Sequence, residues 1–290
     1  PDSNRSNGVL ETARPYPRAN AGMLAPAMNN LTDALHIPDT QSERDERHLA
    51  IQRVGVKDVR YPLQVRVAGA VQATAALWSL DVALPAEKKG THMSRFVAWL
   101  EALDVPLDAA TLRERHAAML DKLGAQEGRI EAAFSFFIRK RAPVSGLQSL
   151  LDYQGRWIAE TRAGATTLWM EVGVPVKTLC PCSKEISDYG AHNQRSLVTL
   201  RVEVGAPVEW QELVRFAEES ASSEIWPMLK RSDEKWITER AYENPKFVED
   251  LVRDVALRLN ADARIGRYRV DVENFESIHN HSAYARIERV

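Results

Sequence analysis

The feature that most narrows the fold of this chain is a twofold repeat in the order of its hydrophobic periodicities. Leu63, Val65 and Val67 alternate with Gln64 and Arg66, and a second run from Val71 to Leu84 follows Ala68-Gly69-Ala70. Alternation of period two marks a strand with one buried face, so the pair predicts a hairpin of long antiparallel strands. The period then changes. Met93, Phe96, Val97 and Leu100 form one helical stripe, and Leu112, His116, Met119, Leu120 and Leu123 form another. Strands return at Ile130–Arg141 and Leu147–Thr161, on either side of a turn at Pro143–Gly146.

The second half repeats that order with little residue identity. Thr166–Leu179 and Ser196–Val204 read as strands, the latter with Val198, Leu200, Val202 and Val204 on one face. A helix is expected from Trp210 through Leu213, Val214, Ala217, Ala221 and Ile225 to Met228. A second runs from Phe247 to Leu259, entered through Asn244-Pro245, where proline suits a helix start. Ile265–Phe275 and Ser282–Val290 close the chain as strands. Strand pairs around paired helices, used twice, imply an α+β fold of antiparallel sheets with helices on one face. The expected division is an arm over residues 1–50, one unit over 51–162 and a second over 163–290. Long hairpins leave open sheet edges, which oligomerisation would cover.

Composition narrows the function classes. The 290 residues carry a formal charge of -2, 44% are apolar and 27% charged, a balance that argues against a dedicated nucleic-acid binder. Two cysteines make no disulfide framework, and no apolar run is long enough to span a bilayer, so a reducing cytoplasm is the expected address. The polar segment Ile37–Arg47 reads as a disordered arm or a strap over another subunit.

Both cysteines, Cys180 and Cys182, lie with His192 in one stretch, VKTLCPCSKEISDYGAHNQRS, between two strands. Thiolates and imidazoles are the soft and borderline donors that hold zinc and similar metals, and a loop can converge them on one point. No second cysteine pair exists to close a four-sulfur site, so any remaining ligands must be His, Asp or Glu from elsewhere. Glu234, in a non-periodic connection between the last two helices, and Glu249, on the polar face of the helix that follows, would each ordinarily be solvated carboxylates. Glu276, His279 and His281 cluster in the last turn, FESIHNHSA, where binding residues tend to sit. His36, His48, His92 and His116 lack such company, and His116 falls on an apolar stripe where a structural role is expected.

These stretches carry a resemblance. LCPCSKEISDYGAHNQRS, IPDTQSERDER followed by VGVKDVRYPL, DEKWITERAYENPKFVED and FESIHNHSA are similar to the motifs of the prokaryotic GTP cyclohydrolase IB family, from Ile37 to the C-terminus. The resemblance implies two tandem tunnelling-fold units and a homotetramer with active sites at subunit interfaces. It implies conversion of GTP and water to 7,8-dihydroneopterin triphosphate and formate, the first step toward folate and queuosine-type deazapurines. It also implies a zinc or manganese ion on Cys180, His192 and Glu234, and guanine anchored by Glu249. Cys180, Cys182, Glu276, His279 and His281 are the candidates for the chemistry itself, and Arg195, Arg231, Lys235 and Arg240 for the triphosphate. Three alternatives stay open at this point: an NADPH-dependent nitrile reductase of the same fold, a non-catalytic zinc-stabilised binding protein, and a C-x-C redox protein.

Overall fold

The structure, a computed structural model, describes residues 39–290; most of the expected N-terminal arm, with His36, lies outside the described residues. Residues Gln41–Val290 form one compact unit. In chain order it contains β1 (Ile51–Val67), β2 (Ala70–Leu84), α1 (Met93–Glu101), α2 (Ala109–Leu123), β3 (Gly128–Arg141) and β4 (Gln148–Arg162). The second half contains β5 (Ala165–Leu179), α3 (Pro181–Ile186), β6 (Asn193–Val204), α4 (Trp210–Ser220), α5 (Arg231–Glu243), α6 (Val248–Ala261), β7 (Ile265–Asn274) and β8 (Ala283–Arg289). All eight strands pair in sequence order in a single antiparallel sheet.

The strand alternation becomes two dissimilar sheet faces. Val172, Val174 and Val176 on β5, Val198, Leu200 and Val202 on β6, and Val270 and Val272 on β7 are buried beneath the helices. The opposite face carries crossed charges, Arg156 bonding Glu131 at 2.6 Å and Arg201 bonding Glu171 at 2.6 Å. The two halves meet at a two-residue turn, Ala163-Gly164, with both residues at positive φ (49° and 76°), the twist that suits a tight hairpin. Ala68-Gly69 makes the same turn between β1 and β2. The halves share a core as well as a sheet: Trp210 of α4 packs against Phe134, Phe136 and Trp157 of β3 and β4, with ring centroids 5.6, 5.0 and 5.2 Å away.

Three expectations need correction. Residues 43–45 are not a disordered arm; they lie along this chain's own residues 87–89, Asp45 N donating to Glu87 O and Lys89 N to Glu43 O. The helix expected to reach Met228 stops at Ser220. Glu234 does not sit in an irregular connection, because residues 231–243 form α5. Its stripe on the protein side is Asp233, Ile237 and Ala241, only one of them a large apolar residue, so hydropathy could not reveal it. Asp233 anchors that helix. Its carboxylate accepts from Lys230 N, Val144 N and Ser145 N at 2.8 Å each and from Ser145 Oγ at 2.6 Å. Burial opposes its ionisation, yet these hydrogen bonds outweigh burial and hold its carboxyl well below the usual range.

Candidate active site

The candidate residues collect at one end of the sheet, where β5 ends, β6 begins and β7 turns into β8. Beyond Gly173, β5 leaves β4 and instead exchanges backbone bonds with Ser223, Lys177 N donating to Ser223 O at 2.9 Å. Cys180 follows β5 directly and caps the short helix α3, with Pro181 at its first position. His192 stands at the other end of the same loop. Cys180 N donates to His192 O at 3.1 Å, while Ser183 Oγ donates to Cys180 O at 3.1 Å and accepts from His192 N at 3.1 Å. Ser183 N also donates to Cys180 Sγ at 3.5 Å, which orients the sulfur. The stretch that the sequence marks by its cysteines is therefore a clasp whose main-chain bonds hold the Cys180 and His192 backbones side by side. His192 is oriented in turn: its Nδ1 lies 3.2 Å from Gln194 Oε1 and 3.4 Å from Ser277 Oγ.

The Ser277 contact draws the β7–β8 turn to the clasp, and Phe275 N donates to Arg195 O at 3.0 Å beside it. That turn carries the half-buried Glu276 and the exposed His279 and His281, whose rings stack 5.0 Å apart at 12°. The link between α5 and α6 is stitched to the same place, Lys246 N donating to Leu179 O at 3.0 Å and Lys184 Nζ to Tyr242 O at 2.6 Å. Glu249, exposed in the first turn of α6, follows that link.

Two of the candidates stand apart from this convergence. Cys182 is a free, exposed thiol on α3. Glu234 is exposed at the start of α5, whose first turn is tied to the β3–β4 hairpin; about 12 Å of helix separates it from Tyr242 at a rise of about 1.5 Å per residue. Among the described residues, no three His, Cys, Asp or Glu side chains are grouped so as to hold a metal ion. The donor chemistry of the Cys180–His192 pair fits a thiolate- and imidazole-binding metal such as zinc, and it is a pair that α5 does not complete within this chain.

One cation escaped notice in the sequence. Lys177 is half-buried and faces Arg195 in register across β5 and β6; burial lowers its pKa, and no anion partners it among the described residues. A lysine within an otherwise alternating strand gives no signal of that kind, because its want of a partner is a tertiary property.

The profile of a family described as type I GTP cyclohydrolase folE2 matches residues 37–285. The chain belongs to this family. Its relatives include proteins named GTP cyclohydrolase FolE2 from Methylibium petroleiphilum, 70% identical over 88% of this chain and 96% of the relative, and from Paraburkholderia xenovorans, 63% identical over 90% and 98%. Among solved structures, uricase from Arthrobacter globiformis superposes with a TM-score of 0.41 at 10% identity, over 82% of this chain and 93% of that one. Urate oxidase from Bacillus subtilis gives 0.43 at 8% identity, over 82% and 99%. Superpositions that loose carry no argument, so the family assignment rests on sequence. The resemblance to GTP cyclohydrolases is thereby established, while the subdivision into type IB is a finer matter.

Proposed function

We propose that the protein is a GTP cyclohydrolase of the IB type, which hydrolyses the imidazole ring of GTP to give 7,8-dihydroneopterin triphosphate and formate at the head of folate synthesis. The observation that carries this is family membership over residues 37–285 in a chain whose motif residues Cys180, His192, Glu276, His279 and His281 gather at one sheet end. Water must add at C8 of guanine. A zinc or manganese ion held by Cys180 and His192, with Glu234 as the third donor, would supply a bound water acidic enough to serve as hydroxide near neutral pH. Glu249 accepts hydrogen bonds from the guanine N1–H and 2-amino groups, which a carboxylate can take as a pair. His279, His281 and Glu276 exchange protons with the ring nitrogens as the C8–N bonds break, and Cys182 is a second thiol for the chemistry. Lys177, Arg195, Arg231, Lys235 and Arg240 are the cations available to the triphosphate.

The IB assignment draws its support from the Cys180, His192 and Glu234 motifs. A homotetramer with sites at subunit interfaces would also bring Glu234 and Cys182 into use. Exposed apolar side chains ring this end of the protein, Tyr189 at 100% and Ile186 at 83% exposure, with Phe247, Ile278 and Tyr284 nearby in the fold. Surfaces of that kind suit a partner.

The test is incubation with GTP and added zinc or manganese, assaying formate and the fluorescent oxidised pterin, beside a chelated control. Both products are expected, lost on chelation and lost together with metal retention in Cys180→Ala. Full turnover in Cys180→Ala would overturn the site, and absence of both products from folded, metal-loaded protein would overturn the function.

A further inference from the structure

The helix-covered face of β5, β6 and β7 is lined with Val and Leu until the last rungs, where it becomes polar. Thr178, Gln194, Ser196 and Asn274 are all buried there, between 0% and 7% exposed. Burying uncharged polar groups costs free energy unless each is hydrogen-bonded, and here they bond to one another in a single line. Ser196 Oγ lies 2.7 Å from Asn274 Oδ1, Thr178 Oγ1 lies 2.8 Å from Ser196 Oγ, and Gln194 Nε2 lies 2.8 Å from Thr178 Oγ1. Gln194 Oε1 ends the line 3.2 Å from His192 Nδ1.

Each of the two hydroxyls has one proton to give, so the direction of the line is set at its far end. Asn274 presents an oxygen, and Ser196 must donate to it. Ser196 then accepts from Thr178, and Thr178 accepts from the amide nitrogen of Gln194. The carbonyl oxygen of Gln194 is thereby turned toward His192, whose Nδ1 can approach it only as a donor. Ser277 Oγ, at 3.4 Å, can accept from the same N–H.

We infer that Gln194, held by Thr178, Ser196 and Asn274, is a positioning residue that locks the His192 imidazole as its Nδ1–H tautomer and leaves the Nε2 lone pair bare. This rests on the reading of His192 as a metal ligand: a hydrogen bond at one imidazole nitrogen fixes both ring orientation and the nitrogen that is free to coordinate. It also accounts for the polarity of these rungs, since three adjacent strands are joined to one side chain in the active-site loop.

The test begins with metal-free protein carrying 15N-labelled histidine, at a pH where the imidazole is neutral, with His192 assigned by its absence in His192→Gln. Long-range 1H–15N correlation is expected to show Nδ1 protonated and Nε2 bare. Gln194→Leu should release that preference and weaken zinc binding roughly 10–100-fold in a competition titration, whereas Gln194→Glu, which keeps an acceptor, should retain the tautomer. Ser196→Ala interrupts the line farther away, is the milder change for folding, and should give a mixture of tautomers. A wild-type His192 protonated at Nε2, or an Nδ1–H that persists in both Gln194→Leu and Ser196→Ala, overturns the inference. Zinc binding that His192→Ala leaves intact would sink the metal reading, and with it the purpose of the lock, while the tautomer result stood by itself.

Discussion

His116 and His192 place the same side chain in opposite settings. His116 is 1% exposed on the inner face of α2, its Nε2 2.9 Å from Thr161 Oγ1. Burial pulls its pKa down to about 4 from 6.5, only partly offset by the charge of Asp81. The unfolded chain therefore takes up the proton first as pH falls. The stabilisation is full above about pH 6.5 and is lost between there and about 4, a total of about 3 kcal/mol at most. Urea unfolding midpoints followed from pH 7.5 to 4.5 should fall in the wild type and fall distinctly less in His116→Gln. Equal slopes in the two proteins would refute this account. The apolar stripe around His116 had already marked it as structural. His192 could be read only as part of a cluster, since the contacts that orient it come from β6 and from the β7–β8 turn.

At the scale of elements, the helices differ in how openly their sequences declare them. α6 buries Val248, Leu251, Val252, Val255, Ala256 and Leu259, an apolar stripe legible at once. α5 is held by the buried carboxylate of Asp233, an interaction that no periodicity encodes. α4 is likewise tied down by charge: Lys140 on β3 reaches Glu218 Oε1 at 2.5 Å and Glu224 Oε2 at 2.7 Å, and Tyr153 OH donates to Glu218 at 2.9 Å. Burial raises the pKa of Glu218 despite the adjoining ammonium. Lys140 and Glu218 are 8% and 9% exposed at the side chain, so removing one partner strands a charge out of water. Lys140→Ala should cost about 3–5 kcal/mol, and Lys140→Met combined with Glu218→Gln should recover most of it. Denaturation of the two variants measures this directly, and a Lys140→Ala loss within about 0.5 kcal/mol, the ordinary range for a surface site, would show that the network is not a tie.

For the whole molecule, the eight-stranded sheet is open among the described residues, with β8 at one edge and β1 at the other, where Gln64 and Arg66 of β1 bond outward to Leu107. Open edges, together with the exposed apolar residues around the candidate site, suit the proposed tetramer. Sedimentation should therefore give a species larger than a monomer, and Ile186→Glu with Ile278→Glu should shift it toward smaller ones and reduce turnover with it. A monomer with full activity would remove the interface from the mechanism. The strand order, the helices α1, α2 and α6, the cysteine-histidine loop and the histidine turn were determined by the sequence, because period and residue type are local properties of a chain. The tertiary structure alone decided that both halves share one sheet and one aromatic core around Trp210, that residues 231–243 are helical, and that Lys177 meets no counter-ion among the described residues. It alone decided that a buried polar line ends on His192, because each of these depends on what distant segments place beside a residue, and no local pattern records a neighbour.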